Sequence, residues 1–377
     1  MIPRKIVFLT GTRADFGKLK SLVEACLAKS CFDVKIFVTG MHLQKRYGNT
    51  VDEIEKCGYP NVFRFRNHIS GNPMDQVLGK TIEGFSEYVN ETKPDLIVVH
   101  GDRVETLAGS IVGSLNNVLV AHIEGGEVSG TIDELIRHSV SKMSHIHFVS
   151  NDAARKRLIQ MGEVPNSIFV IGSPDVDIMI SESLPTIKEV KNHYQIIFKE
   201  YGVVLFHPVT TEFEHTKKHT RQLVDALLSS NKNFIVIYPN NDLGSAEILE
   251  EYKCLEGNSR FKIFPSIRFE FFLVLLKNAK CLVGNSSAGI REAPYYGLPA
   301  VDIGTRQQSR ALQNNALSCG CNETEIKDNI DKAFITKMEP VSLYGDGRSD
   351  QLFTEALLSV ELWEIPQQKV FNDILDA

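Results

Sequence analysis

The stretch PDLIVVHGD (residues 94–102) decides the fold once it is set beside NNVLVAHIE (residues 116–124). Both stretches are nearly continuous apolar runs, and each ends in a histidine with an acid two residues later. The residues between them, VETLAGSIVGSLNN from Val104 onward, have apolar side chains at helical spacing and predict a helix. Two such strands joined by a helix are typical of a parallel sheet that helices cover on both faces.

The same alternation runs along the whole chain and restarts once. Further strands are predicted in the first half at KIVFLTG (5–11), FDVKIFVTG (32–40), HIHFVSN (145–151) and SIFVIGSP (167–174). The second half repeats the pattern at GVVLFHPVTTE (202–212), FIVIYPNND (234–242), RFKIFPS (260–266), AKCLVGNSS (279–287) and PAVDIG (299–304). Because 377 residues exceed one core of ordinary size and residues 173–195 carry no strand pattern, we predict an α/β protein. It has two Rossmann-like domains, residues 1–172 and 173–377, that face each other across a cleft.

The composition limits the classes of function. The net charge is −6 and no block of lysine or arginine occurs, which argues against a nucleic-acid partner and against binding to an anionic membrane. The first apolar run, about five residues, is too short for a signal peptide or a membrane span. Seven irregularly spaced cysteines fit reduced thiols in the cytoplasm, and CGC at 319–321 lacks the spacing of a zinc site. We therefore expect a cytoplasmic protein without a metal.

Carboxylates follow the predicted strands. Asp102 and Glu124 end two neighbouring strands, and Asp133 and Glu134 begin the helix TIDELIRH. The pair at the helix start has an ordinary alternative role, the stabilisation of the helix dipole. A carboxylate that ends a buried strand must instead find partners or shift its pKa. Acids with different pKa values in one pocket are suited to removing and returning a proton.

Two strand-to-helix turns predict sites for an anion. Arg13 follows the first strand and Gly11, close to a helix N-terminus whose free N–H groups can bind phosphate. Ser286 and Ser287 are expected to cap the helix that contains Glu292, which could accept hydrogen bonds from vicinal hydroxyls such as those of a ribose. Each turn could equally be a plain capped helix with a charged residue on its surface. One anion site in each half would suit a nucleotide diphosphate.

Two further candidates follow strands of the second half. His207 precedes Pro208 and could bond a phosphate or a leaving group, although a structural histidine in a loop explains it too. Arg306 follows the last clear strand and adds a cation at the mouth of the predicted cleft. The first turn, LTGTRADFG, is not the G-x-G-x-x-G fingerprint of a dinucleotide site, and we expect no cofactor.

These motifs resemble those of the hydrolysing UDP-N-acetylglucosamine 2-epimerases of bacterial sialic acid biosynthesis, which serve capsule or surface sialylation. The resemblance extends over nearly the whole chain and is carried by the motifs RADFGKL, HGDR, HIEGGEVSGTIDE, HPVTTE, GNSSAGIREAP and YGDG. HIEGGEVSGTID and GNSSAGIRE together are highly specific. It implies the two-domain GT-B type fold, with the last helix returning to the first domain. It also implies a homodimer or homotetramer that uses no cofactor.

The resemblance implies roles for individual residues. The acids that match catalytic positions are Asp102, Glu124, Asp133 and, at a position that is also acidic in relatives, Glu134. The residues that match contacts to the diphosphate are Arg13, Ser286, Ser287, Arg306 and His207. Of these, His207 is also counted among the catalytic candidates. Glu292 matches a contact to the ribose, Asn240 and Phe272 match positions near the uracil, and Arg103 and His122 match residues of the sugar pocket.

The resemblance implies a reaction in which UDP-N-acetylglucosamine and water give N-acetylmannosamine and UDP. Elimination of UDP would give 2-acetamidoglucal, and hydration with protonation at the opposite face of C2 would follow, so at least two acid–base groups are needed. Four alternatives remain open. They are a hydrolysing 2-epimerase of UDP-N,N'-diacetylbacillosamine, a non-hydrolysing UDP-N-acetylglucosamine 2-epimerase, a GT-B glycosyltransferase and a non-catalytic nucleotide-sugar sensor. The number of acids argues against the last two.

Overall fold

The structure, a computed structural model, describes residues 2–67, 73–129, 131–307 and 316–373. The chain divides into two compact units. Unit 1 contains Met1–Glu127, Asp133–Ile180 and Leu343–Ala377, and unit 2 contains Val128–Ile132 and Ser181–Ser342. The change from the first unit to the second therefore falls after Ile180, inside the segment 173–195 that carries no strand pattern.

The regular elements of the described residues alternate as the sequence pattern indicates. The strands are β1 Arg4–Thr10, β2 Phe32–Val38, β3 Val62–Arg64, β4 Leu96–His100, β5 Leu119–Ile123, β6 Ile146–Val149, β7 Ile168–Val170, β8 Gly202–Leu205, β9 Phe234–Ile237, β10 Phe261–Phe264, β11 Leu282–Gly284, β12 Ala300–Ile303 and β13 Ala316–Cys319. The α-helices are α1 Arg13–Leu27, α2 Val51–Lys56, α3 Met74–Thr92, α4 Val104–Leu115, α5 Ile132–Met143, α6 Asp152–Gln160, α7 Pro174–Met179, α8 Ile187–His193, α9 Thr216–Ser229, α10 Ser245–Tyr252, α11 Phe269–Lys277, α12 Glu292–Tyr295, α13 Glu323–Ile335, α14 Ser349–Leu358 and α15 Val360–Trp363.

Unit 1 is built on a sheet with the strand order β3-β2-β1-β4-β5-β6-β7. All of its strand pairs are parallel in the described residues. The order of the strands reverses between β1 and β4, and ligands of such sheets bind outside the carboxyl ends of the strands at this point. The turns after β1, β4 and β5 therefore lie side by side at the carboxyl ends of the strands, where a ligand is expected.

Unit 2 repeats this arrangement with the order β10-β9-β8-β11-β12-β13, and its described pairs are again parallel. The reversal lies between β8 and β11, which are the strands that precede His207 and Ser286. The prediction of an α/β fold with two parallel sheets is confirmed. The short edge strands β3 and β13 were not predicted, because their partly exposed residues do not form an apolar run.

The C-terminal part of the chain belongs to unit 1 because α14 packs on the first sheet. The ring of Phe353 lies 4.7 Å from that of Phe148 and 6.4 Å from that of Phe8, measured between centroids. The carboxylate of Asp177 in α7 accepts hydrogen bonds from the backbone N–H groups of Ser349 (3.0 Å) and Asp350 (2.9 Å). An acid at this helix N-terminus satisfies donors that the helix itself leaves free. None of the described helices has the length and apolar character that a membrane span requires.

Candidate active site

The turn after β1 is ordered by a capping box. Thr12 precedes α1 and accepts a hydrogen bond from the backbone N–H of Asp15, whose carboxylate accepts from the N–H groups of Gly11 and Thr12, each at 3.0 Å. The hydroxyl of Thr10 donates to the same carboxylate at 2.6 Å. Arg13, the predicted anion contact, is half-buried in this turn, and its guanidinium forms an ion pair with Glu53. The turn is thus fixed, with a guanidinium beside the switch point of the first sheet.

The turn after β4 carries Asp102, which forms an ion pair with the guanidinium of Arg137 in α5. Arg137 is 2% exposed and also donates to the carbonyl of Glu127 at 3.2 Å. Burial lowers the pKa of Arg137, but the carboxylates of Asp102, Glu127 and Asp133 outweigh this effect and raise it above its ordinary value. Asp102, Arg137 and Asp133 therefore form one charged cluster on the inner face of α5.

The turn after β5 begins at Glu124, which is 7% exposed and has a left-handed backbone with φ = 66°. A residue with a Cβ in this region costs about 1 kcal/mol and is held there by its surroundings. Oε2 of Glu124 lies 3.3 Å from Nε2 of His100 and 3.7 Å from Nζ of Lys18, and Oε1 accepts from the hydroxyl of Ser173. Lys18 also lies 3.1 Å from Asp175. A histidine and a lysine therefore lie beside one buried carboxylate.

His122, predicted to line the sugar pocket, lies within the interior of unit 1 at 0% exposure. Its Nε2 donates to the carbonyl of Gly101 at 2.8 Å, so Nδ1 is the acceptor for the hydroxyl of Ser141 at 3.0 Å. Burial lowers the pKa of His122 to about 3, which keeps the ring neutral. The geometry gives His122 a supporting role, because it fixes the turn that precedes Asp102.

Helix α5 separates the two acids that the sequence groups together. Asp133 is 6% exposed and shares the inner face with Arg137, four residues later. Glu134 faces outward, with its side chain 32% exposed and 3.7 Å from His138. The structure therefore includes Asp133 in the acid cluster and excludes Glu134 from it. Arg103, the residue before α4, is half-buried next to Asp102.

His207 and Asn240 are brought together in unit 2 at the carboxyl ends of β8 and β9. The backbone N–H of Asn240 donates to Nδ1 of His207 at 3.0 Å. This bond requires an unprotonated Nδ1, so Nε2 carries the hydrogen and is a donor suited to a phosphate oxygen. Asn285 holds His207 from the other side, because its side chain accepts from the His207 N–H at 2.7 Å and donates to the His207 carbonyl at 2.8 Å.

The loop after β11 differs from the expected capped helix. Ser286 caps only a 3₁₀ turn, Ser287–Gly289, and accepts from the N–H of Ala288 at 3.3 Å. Glu292 is not one turn into that helix but the first residue of the separate short helix α12, where it is 4% exposed. Pro294 explains the late start, because a proline fits only the first turn of a helix. An anion here would depend on the N–H groups and side chains of the turn more than on a helix dipole.

The remaining candidates of unit 2 lie at different depths. Arg306 is half-buried after β12, and its guanidinium donates to the carbonyl of Asn285 at 3.3 Å. Gln307 donates to the same carbonyl at 2.8 Å. Asn285 therefore connects His207 with Arg306. Phe272 is 8% exposed in α11, among the apolar residues of the unit.

Four residues of these clusters escaped the sequence analysis as site residues: Lys18, His100, Asp175 and Asn285. The position of His100 at the end of an apolar run is a signal that could have identified it. Lys18 and Asp175 sit within helices and meet only when α1 packs against α7. All seven cysteines are free thiols. The described residues contain no group of three or more histidine, cysteine or acidic side chains arranged to hold a metal.

Parallel sheets with paired carboxylates and cations at their strand ends are typical of α/β enzymes. The sequence profile of UDP-N-acetylglucosamine 2-epimerases matches residues 24–358. The chain belongs to the UDP-N-acetylglucosamine 2-epimerase family.

Three relatives and one solved structure are informative. The chain is 47% identical to the UDP-N-acetylglucosamine 2-epimerase of Neisseria meningitidis serogroup B, over 98% of this chain and 99% of that protein. It is 33% identical to the hydrolysing UDP-N,N'-diacetylbacillosamine 2-epimerase of Legionella pneumophila, with coverages of 95% and 97%. It is 32% identical to the polysialic acid biosynthesis protein P7 of Escherichia coli, with coverages of 90% and 89%. The crystal structure of the Methanocaldococcus jannaschii UDP-GlcNAc 2-epimerase, in complex with UDP-GlcNAc and UDP, superposes with a TM-score of 0.81 at 21% identity, over 94% of this chain and 99% of that one.

Proposed function

We propose that this enzyme is a hydrolysing UDP-N-acetylglucosamine 2-epimerase, which converts UDP-N-acetylglucosamine and water to N-acetylmannosamine and UDP. The observation that carries the proposal is the separate pairing of two strand-end carboxylates. Asp102 is paired with Arg137, and Glu124 lies between His100 and Lys18. Two acid–base groups in different electrostatic settings suit a reaction that removes a proton from one face of C2 and returns one to the other.

The first step is an elimination. A carboxylate takes the proton from C2, the C1–O bond breaks, and its electron pair leaves with UDP to give 2-acetamidoglucal. Because the C2 proton is only weakly acidic, cleavage of the C1–O bond runs ahead of proton transfer, and a nearby carboxylate stabilises the positive charge that develops at C1. Asp102, Glu124 and Asp133 are the candidates for these roles.

The second step is a hydration. Water adds at C1 of the glycal, and C2 takes a proton from the face opposite to the one that lost it, which gives N-acetylmannosamine. The acid that returns this proton must differ from the base that removed the first one. Water is consumed and UDP is released, so atoms and charge balance without a cofactor or a redox partner.

Unit 2 is proposed to bind the UDP. Nε2–H of His207 and the guanidinium of Arg306 are the donors for phosphate oxygens, together with Ser286 and Ser287 in the turn after β11. Arg13 stays a candidate for a contact to the diphosphate. The buried carboxylate of Glu292 is the candidate for the ribose hydroxyls. Asn240 and Phe272 stay candidates for the uracil.

The name of one relative supports the hydrolysing reaction, whereas the Neisseria relative is named only as a UDP-N-acetylglucosamine 2-epimerase. The Legionella protein, matched along 97% of its length, is named as hydrolysing, although it acts on UDP-N,N'-diacetylbacillosamine. That sugar differs at C4 and C6 and is the second candidate substrate. The relative named for polysialic acid biosynthesis supports a role in the first step of sialic acid synthesis for a capsule. We further propose a cytoplasmic homo-oligomer, a dimer or a tetramer.

The test is a product analysis with both sugars. Purified enzyme is incubated with UDP-N-acetylglucosamine or UDP-N,N'-diacetylbacillosamine, and nucleotides and free sugars are separated by chromatography. We expect equal amounts of UDP and N-acetylmannosamine from the first sugar and slower turnover of the second. Preferential turnover of the second sugar would replace the proposed substrate. An equilibrium of two UDP-sugars without free UDP would replace the proposed reaction.

A further inference from the structure

The last described residues of the chain contact the end of α5 and the residues just before β6 and just after α6 in unit 1. The carbonyl of Gln367 accepts a hydrogen bond from Nε2 of His145 at 3.0 Å. The backbone N–H of Asn372 donates to the carbonyl of Gly162 at 3.0 Å. The ring of Phe371 covers Gly162 so closely that a Cβ there would lie 2.4 Å from it. Residues 365–373, which we term the C-terminal strap, are therefore held by specific contacts.

Lys369 is the central contact of the strap. Its ammonium donates to three backbone carbonyls, those of Ser141 (3.0 Å), Lys142 (2.9 Å) and Ser144 (2.6 Å). It also lies 2.5 Å from a carboxylate oxygen of Glu163. The carbonyls belong to the end of α5, where a helix leaves its last four acceptors without partners of its own. One lysine from the far end of the chain thus caps this helix.

Glu163 makes the position of the ammonium specific. Its carboxylate is buried at 1% side-chain exposure and contacts Nε2 of His147 at 3.0 Å and Nζ of Lys142 at 2.8 Å. Burial raises the pKa of Glu163, but His147, Lys369 and Lys142 outweigh burial and lower it to about 2. Burial lowers the pKa of Lys369 to about 8, so most of the lysine is charged at neutral pH. Loss of Lys369 would leave Glu163 with less compensation for its buried charge.

The helix that Lys369 caps is the one that carries the acid cluster. Asp133 lies in its first turn, and Arg137, one turn later, is paired with Asp102. One further turn along, the hydroxyl of Ser141 bonds His122, and the carbonyl of the same residue accepts from Lys369. Arg137 and Ser141 thus tie α5 to Asp102 after β4 and to His122 in β5, and the strap contacts the end of the same helix.

We propose that Lys369 is a positioning residue for the acid cluster: the C-terminal strap fixes the end of α5 and thereby the placement of Asp133 and Arg137. Lys369 touches neither acid and acts through the helix. Its effect on turnover rests on the proposed function, whereas its effect on the helix does not. A small displacement of catalytic groups lowers turnover strongly because the reacting atoms must be aligned.

The test uses the full-length enzyme with Lys369→Met and Lys369→Arg. Lys5→Met is the matched control, because Lys5 donates to the carbonyl of Thr92 at the end of α3, a helix without candidate acids. Backbone hydrogen exchange of residues 132–143 and the steady-state kinetics with UDP-N-acetylglucosamine are measured. Fluorescence of Trp363 verifies that unit 1 stays folded.

For Lys369→Met we expect exchange within α5 to accelerate by about tenfold, extending to its first turn, and kcat to fall by about tenfold with KM nearly unchanged. Lys369→Arg should restore most of the protection of α5 from exchange and most of kcat. Lys5→Met should change neither the exchange of α5 nor kcat. Unchanged exchange in α5, or equal acceleration throughout unit 1, would overturn the proposal. If the unmodified enzyme does not turn over this sugar, the proposed function fails, and hydrogen exchange still decides whether the strap holds α5.

Discussion

Nε2 of His100 lies 3.3 Å from Oε2 of Glu124, and both side chains are buried at the carboxyl ends of the neighbouring strands β4 and β5. The contact joins two strand ends that the parallel sheet places side by side. Lys18 approaches the same oxygen from α1, so Glu124 has a histidine and a lysine as partners. Asp102 is paired instead with an arginine. The two carboxylates therefore differ in their partners although both follow similar apolar strands.

The first prediction concerns these two acids. Glu124→Gln and Asp102→Asn should each lower kcat by at least about 100-fold, because an amide cannot exchange a proton with C2. Both residues belong to unit 1, so the affinity for UDP, measured by isothermal titration calorimetry, should change less than threefold, about 0.7 kcal/mol. Retention of full turnover by either variant would remove that acid from the scheme.

The second prediction concerns the ammonium of Lys18, which lies 3.1 Å from Asp175 and 3.7 Å from Glu124. Lys18→Met should lower kcat by about 100-fold and the free energy of unfolding by about 3 kcal/mol, because two buried carboxylates lose their common partner. Lys35→Met is the control, since Lys35 pairs with Asp33 at 3.2 Å on a more exposed face. Adding Asp175→Asn should restore part of the stability but not the activity. Equal effects of both lysine variants would contradict the assignment.

The strand ends could be predicted from the sequence, whereas the partners of the acids could not. Apolar runs such as those of β4 and β5 require burial, and parallel pairing then aligns their ends. Lys18 stands at an ordinary helical position and reads as a surface residue until α1 packs against α7. Helical phase does not separate Asp133 from Glu134, because they lie four and three residues before Arg137 and both spacings place side chains on one face of a helix. The loop after β11 differs from the predicted capped helix because Pro294 fits only the first turn of a helix, which therefore begins at Glu292.

The third prediction concerns the junction of β8 and β11. Gly284 has φ = 141°, and a Cβ there would lie 2.1 Å from the carbonyl oxygen of Leu205. Gly284→Ala should therefore destabilise the enzyme by at least about 2 kcal/mol and weaken UDP binding, because Asn285 would no longer hold His207. Gly257→Ala, with φ = 76° and no atom within 4 Å, should cost only about 1 kcal/mol and leave UDP binding intact. Thermal unfolding measures the loss of stability, and calorimetry measures the loss of UDP binding. Equal losses in the two variants would contradict the role of the junction between β8 and β11 in holding His207.

The fourth prediction concerns the acid stability of unit 1. Burial lowers the pKa of His42 to about 4 and that of His122 to about 3, so both rings are neutral when folded and protonate in the unfolded chain below about pH 6.5. The contribution of the two neutral rings to the free energy of unfolding is complete above pH 6.5. It is lost as the pH falls toward the pKa values of the folded protein, with a slope of up to about 1.4 kcal/mol per pH unit for each ring.

Urea unfolding followed by the fluorescence of Trp363, the single tryptophan, measures this slope. His42→Gln should reduce the slope between pH 6.5 and 4.5, and substitution of the exposed His193 of unit 2 should leave it unchanged. If the unmodified enzyme, the His42→Gln variant and the His193 variant all had the same slope, the assignment of the acid sensitivity to buried histidines would be contradicted.

The most direct test of the account is proton NMR of the purified enzyme with UDP-N-acetylglucosamine in deuterated water. The proposed elimination and hydration predict free UDP together with N-acetylmannosamine that carries deuterium at C2. A free sugar that keeps its original hydrogen at C2, or a deuterated UDP-sugar without free UDP, would contradict the hydrolysing 2-epimerase reaction.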